Sequence, residues 1–140
     1  MGRSYWFECF KCGYRARVSG RADRGVSLSV QTILCRECRE LYDAVTRLKV
    51  PAETAGWGNF GRLSKARLPG VRPTLRTPPT FQAALNRLLP AEAKHYQWLN
   101  FKPQCPVSAV HRVRGWNDPD KCPKCGSFLE KSALPYRVWD

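Results

Sequence analysis

No stretch of this chain approaches the roughly 18 consecutive apolar residues of a membrane span. No apolar run ahead of a small-residue cleavage site marks a secretory leader, so the expected compartment is cytoplasmic, where thiols stay reduced. The G-x-x-x-x-G-K pattern of a phosphate-binding loop is missing, although Gly56, Gly58 and Gly61 crowd one segment. Acidic side chains are scarce: 11 Asp and Glu stand against 24 Lys and Arg, for a formal charge of +13. Long apolar segments are also absent, which excludes one large core in 140 residues and leaves small cores that need a staple.

Cysteine supplies the staple. The seven cysteines are an odd number, and most fall in C-x2-C pairs, which suits metal chelation better than a secreted disulfide framework. Cys9-Phe-Lys-Cys12-Gly13 and Cys35-Arg-Glu-Cys38 read as two knuckles whose thiolates face one another across a tetrahedral four-sulfur site. Zinc is the expected ion, and iron suits the same ligands. Four sulfurs leave no open position, so this centre is structural. Near the other end, Cys122-Pro-Lys-Cys125-Gly126 repeats the first knuckle, while Cys105-Pro-Val-Ser108 carries Ser where a second Cys would stand. Cys105, His111, Cys122 and Cys125 then make a site of three cysteines and one histidine, so two zinc ions are expected in all. The alternative leaves His111 out and fills the fourth position with His95, water or an acidic group. Two closed zinc sites would lower the charge to about +10.

Around these knuckles the patterning predicts a mostly β, metal-stabilised fold in four parts. Residues 1–50 form an N-terminal four-cysteine zinc ribbon: a strand over Tyr5–Cys9, a second over Tyr14–Val18 with Arg15 and Arg17 outward, a turn from Gly20 to Gly25, and a third strand from Val26 through Leu34. Leu41, Tyr42, Val45 and Leu48 recur at helical spacing and predict a short helix over 39–49. Residues 51–79 are a basic Pro- and Gly-rich linker in which Trp57 and Phe60 are expected to dock on the protein. Residues 80–100 read as two short helices. Thr80 caps the first, which carries Phe81, Ala84, Leu85, Leu88 and Leu89. Pro90 opens the second, which carries Tyr96, Trp98 and Leu99. Residues 101–140 form a C-terminal ribbon-like module on the three cysteines and His111. Phe128, Leu129 and Leu134 are expected over its metal and Trp116 across its core, and the tail, Tyr136–Asp140, is either a last strand or a docking tail.

Both ends resemble zinc ribbons, the β-hairpin modules of RNA polymerase subunits, transcription factors and ribosomal proteins. The layout is also similar to small bacterial zinc-ribbon proteins with a Gly-x-x-Asp-x-Gly turn, here Gly20 to Gly25. These carry a Cys-Pro…His…Trp…Cys-Pro-x-Cys-Gly half, here Cys105, His111, Trp116 and Cys122 to Gly126. The resemblance implies that His111 is a ligand and that the partner is nucleic acid or protein.

The leading functional expectation is a non-catalytic zinc protein that binds nucleic acid. Lys11, Arg15, Arg17, Arg21, Arg24 and Arg36 supply charge, and Trp6 and Phe10 supply faces for stacking. A protein-interaction module within a larger complex is the second, with an apolar patch near Phe81, Leu85, Leu88 or Trp98. An enzyme at an open C-terminal metal site is the third, with Asp118, Asp120 and Glu130 as the nearby acids.

Overall fold

The computed structural model describes residues 1–51, 78–87 and 95–140. The expectations for Trp57, Phe60, the glycines Gly56, Gly58 and Gly61 and Leu88 to Pro90 lie outside these residues. Among the described residues the chain is mostly β, in two sheets. Each sheet is built on a central strand with one long partner on one side and two short ones end to end on the other.

The first central strand is β1 (Gly2–Glu8). Its long partner is β2 (Arg15–Val18), in the register Trp6 to Arg17 and Phe7 to Ala16. Along its other side lie β8 (Glu130–Lys131) and β9 (Arg137–Trp139), both from the C-terminal end. The tail is thus a last strand. Alternation sorts the faces: Phe7, Ala16 and Val18 are buried, while Arg15 and Arg17 face solvent.

The second central strand is β4 (Leu28–Cys35), apolar and buried along nearly its whole length. It pairs with β5 (Glu40–Pro51) on one side and with β3 (Asp23–Arg24) and β7 (Val113–Gly115) on the other. The far side of β5 takes β6 (Tyr96–Asn100).

Two expected helices are strands. Of residues 39–49, all but Arg39 lie in β5. Its helical spacing comes from a β-bulge: the register jumps from Ser29 opposite Arg47 to Val30 opposite Val45, so Thr46 is an extra residue. Leu41, Asp43 and Val45 point inward at steps of two. The bulge makes the next step three, to Leu48, and Val50 follows at two, so Leu41, Val45 and Leu48 fall at helix-like intervals. Tyr96, Trp98 and Leu99 belong to β6, where two aromatics suit a pleated surface and β5 offers backbone groups that need partners. The first expected helix is present but shorter, ending at Asn86 with Arg87 already extended, before the expected Leu88 and Leu89. α1 (Phe81–Asn86) is capped by Thr80, whose side-chain oxygen accepts from Ala83 N at 3.2 Å.

Two cores result. One gathers Phe7, Ala16, Val18, Leu34, Leu41 and Leu129 around Trp116, whose ring meets Phe7 edge-on at 5.2 Å. Trp116 is fully buried, its amide donating to Thr32 O and its indole Nε1 to Lys121 O, both at 2.9 Å. Removing roughly 200 Å² of such a ring from water contributes about 5 kcal/mol. The other core packs Leu28, Val30, Val45, Leu48 and Val50 against Ala84 of α1 and Trp139 of β9. Of the side chains expected over the C-terminal metal, only Leu129 is buried; Phe128 and Leu134 are exposed.

Candidate metal centres

Three turns share one local geometry. Gly13 N donates to Cys9 O, Arg39 N to Cys35 O and Gly126 N to Cys122 O, at 2.8, 2.9 and 3.0 Å. In each, the residue after the second cysteine has a left-handed backbone: φ is +79° at Gly13, +54° at Arg39 and +80° at Gly126. Glycine enters that region freely and arginine does not. Arg39 is held there by its own side chain, whose Nη2 donates to Lys124 O at 2.8 Å and so ties the second knuckle to the third.

All eight expected ligands fall into two clusters, but the sets are exchanged. Cys9 and Cys12 stand with Cys122 and Cys125, and Cys35 and Cys38 stand with Cys105 and His111. The spacing-based pairing of Cys9 and Cys12 with Cys35 and Cys38 is therefore corrected, as is that of Cys105 and His111 with Cys122 and Cys125. Strand pairing is the cause. β4 pairs with β7 so that Cys35 lies opposite Val113, which brings His111 beside the second knuckle. β1 pairs with β8 so that Glu8 lies opposite Glu130, which brings Cys9 beside the third. His95 is exposed and belongs to neither cluster.

The distances suit a tetrahedral ion. Metal–sulfur bonds of about 2.3 Å set sulfurs roughly 3.8 Å apart, and a disulfide would set them at about 2.05 Å. In the first cluster Cys9 Sγ is 3.3 Å from Cys125 Sγ, and Cys12 Sγ is 3.6 Å from Cys122 Sγ. In the second, Cys38 Sγ is 3.7 Å from Cys105 Sγ. His111 Nδ1 stands 3.6 Å from Cys35 Sγ and 3.4 Å from Cys38 Sγ. Both groups could hold a metal ion, one with four sulfurs and one with three sulfurs and a nitrogen.

The surroundings favour thiolate at two of the cysteines, Cys105 and Cys125, and oppose it at two others. Burial pushes Cys35 up to about 11. At Cys12 a Tyr14 backbone hydrogen bond is outweighed by desolvation and the neighbouring thiols, which push it up to about 12. Backbone N–H groups of Cys38, Val107 and Lys124 each donate at 3.4 Å to the sulfur of Cys35, Cys105 and Cys122. Burial raises the Cys105 thiol, but N–H groups of Ser108 and Val107 together with His111 outweigh it and bring it down to about 7. The Ser127 N–H is the main cause that brings Cys125 down to about 6. Beyond the ligands, Glu37 Oε2 accepts from Arg112 N at 2.8 Å and Arg36 N donates to Arg112 O at 3.0 Å, holding the His111 loop against its knuckle. The two centres differ in access: Cys12 and Cys125 are exposed, whereas every ligand of the second is buried or half-buried.

The expected basic residues separate into groups. Trp6 receives the guanidinium of Arg15 at 4.6 Å and that of Arg17 at 5.0 Å, all on the outer face of β1 and β2. Tyr136 joins them. Its ring meets Trp6 edge-on at 5.6 Å, Arg17 lies 5.0 Å over it, and Arg17 Nη1 donates to its hydroxyl at 2.8 Å, which lowers the Tyr136 pKa. Arg137 approaches the same ring at 5.6 Å. Sequence reasoning missed Tyr136 and Arg137 because only the pairing of β9 with β1 carries the tail to this face. Phe10 and Lys11 are exposed in the first knuckle and Arg36 in the second; Arg24 is exposed on β3 and Arg21 in the turn before it. None of these five joins a ring stack with Trp6 among the described residues. No helix of the described residues is long and apolar enough to cross a membrane. No family model, no curated protein and no solved structure matches the chain.

Proposed function

We propose that this protein is a non-catalytic, zinc-stabilised nucleic-acid-binding protein. The observation that carries the reading is the cluster on the β1 and β2 face: Trp6 and Tyr136 interleaved with Arg15, Arg17 and Arg137, in a chain of formal charge +13. Arg17 and Arg137 have no carboxylate partner among the described residues, and Arg15 has only Glu8, at 4.0 Å. Guanidinium groups beside a half-buried Trp6 ring and an exposed Tyr136 ring offer phosphates a charge and bases a face. Zinc suits both donor sets, since soft thiolates with an imidazole in a closed four-ligand site are its structural chemistry. Cys9, Cys12, Cys122 and Cys125 would hold one ion; Cys35, Cys38, Cys105 and His111 the other. Bound there, zinc supplies cross-links rather than a reactive position.

The test is binding of the metal-loaded protein to random RNA, single-stranded DNA and duplex DNA over a range of salt, with zinc measured on the same sample. The reading expects micromolar or tighter affinity that falls steeply with salt. It also expects Arg15→Gln with Arg17→Gln to weaken binding about tenfold while both zincs remain. Flat salt dependence, or no binding near physiological salt with two zincs in place, overturns it.

A second reading, a protein-assembly module, draws on a different feature. Val107 and Val110, 66% and 86% exposed, project from the loop between Cys105 and His111. The patch first expected at Phe81 and Leu85 is weaker ground, because both pack against the second core.

A further inference from the structure

A second arrangement of rings and cations lies on the other sheet, on residues outside the Trp6 cluster. On β6, Tyr96 and Trp98 share one face, and β5 sets a cation at each ring. Lys49 Nζ is 4.7 Å from the Tyr96 ring and Arg47 Cζ is 4.7 Å from the Trp98 ring. The register, Lys49 opposite Trp98 and Pro51 opposite Tyr96, staggers rings and charges along the strands. Neither Lys49 nor Arg47 has a carboxylate partner within 4.0 Å among the described residues. β6 lies at the end of its sheet among those residues, and the exposed Lys102 follows it.

We infer that the β5–β6 face is a second stacking platform and that its ligand is single-stranded nucleic acid. This inference rests on the nucleic-acid reading and specifies its substrate class. The spacing selects the single strand. Tyr96 and Trp98 are two residues apart, so the strand rise roots their side chains about 6.8 Å apart on one face. That is twice the roughly 3.4 Å step of stacked bases along a duplex strand. Two successive bases can each lie against a ring at this spacing only after they unstack from one another, which a single strand permits and a duplex resists. Lys49 and Arg47 are placed to meet the phosphates that accompany those bases. Positive charge with no carboxylate partner among the described residues favours this polyanion over an apolar partner.

The experiment uses the full, zinc-loaded chain with a fluorescent 20-nucleotide oligouridylate and a 20-base-pair duplex. Tyr96→Leu is expected to weaken oligouridylate binding about tenfold with an unchanged salt slope. Lys49→Gln is expected to lower the slope by about 0.7. Duplex affinity of Tyr96→Leu should change less than twofold. Trp98→Leu repeats the ring test at the half-buried position, with the urea midpoint and zinc content checking its fold. If Tyr96→Leu and Lys49→Gln match the unsubstituted protein while Trp6→Leu loses affinity, the second platform is wrong and the first reading survives. If the unsubstituted protein binds neither probe, both fail. Release of the oligouridylate by polyglutamate from the unsubstituted protein but not from Lys49→Gln, with Tyr96→Leu without effect, would reassign the face to an acidic protein partner.

Discussion

Asp43 is where charge and burial conflict. Two-residue alternation along β5 puts it on the inner face with Leu41 and Val45, where Thr32 Oγ1 donates to one carboxylate oxygen at 2.7 Å and Ser19 donates to the other through its amide at 2.9 Å and its hydroxyl at 3.1 Å. Desolvation outweighs these donors and pushes its pKa up to about 6, from an ordinary 3.8. A carboxyl whose folded pKa is raised favours the fold while protonated. Its contribution is therefore lost as pH rises from about 4 through about 6. Relative to Asp43→Asn, the unsubstituted protein should lose about 1 kcal/mol of stability between pH 5 and pH 7. Urea titrations of the pair at several pH values measure this, and their difference cancels any metal loss on acidification that is common to both. A difference that is flat or rises with pH would show that the hydrogen bonds dominate. Nothing in the sequence marks Asp43 as half-buried, because a polar residue in step with Leu41 and Val45 shows its inward orientation only once residues 40–51 are known to be a strand.

Strands β5 and β6 show why elements were harder to read than turns. A bulge inserts one residue, and one residue suffices to turn a spacing of two into a helical one. Edge pairing similarly decides Tyr96–Asn100, whose sequence alone suits either period. Caps and knuckles are local, so Thr80 and the glycines after Cys12 and Cys125 were legible. β9 offers a test of element docking. A Cβ at Gly2 would collide with the Trp139 ring carbons, so only glycine lets β1 lie under that ring. Gly2→Ala should cost about 1–3 kcal/mol by displacing Trp139, read as a lower urea midpoint and an altered near-ultraviolet circular dichroism spectrum. Val138→Ala on the same strand, at a half-exposed position, should shift stability by no more than about 0.5 kcal/mol.

At the scale of the molecule, the two clusters that could hold metal are nested along the chain. The Cys35, Cys38, Cys105 and His111 cluster joins the chain on either side of residues 39–104, and the other cluster encloses it. Each cluster spans a long loop, so an ion there removes much of the freedom of the unfolded chain. The nesting also predicts which substitutions act together. Cys12→Ala with Cys122→Ala should abolish one site and leave one metal with three sulfurs and a nitrogen. Cys12→Ala with Cys38→Ala should damage both. Metal content and the ligand-field bands of cobalt-substituted protein distinguish these outcomes. The reverse pattern would restore the pairing expected from spacing.

Sequence alone determined the chemistry of the ligands. Thiol and imidazole donors, the C-x2-C spacing of three pairs and the C-x5-H spacing of Cys105 and His111 are properties of a few consecutive positions, so all eight residues of the two clusters were legible. The positive charge and the outward Arg15 and Arg17 were legible for the same reason. Only the tertiary structure decided which half-site meets which. A knuckle supplies two ligands and accepts any complementary pair, and the choice is made by strands β1 and β4 finding β8 and β7 far along the chain. The same long-range pairing carries Tyr136 to Trp6 and sets Tyr96 and Trp98 beside Lys49 and Arg47, contacts that no local pattern in the chain encodes.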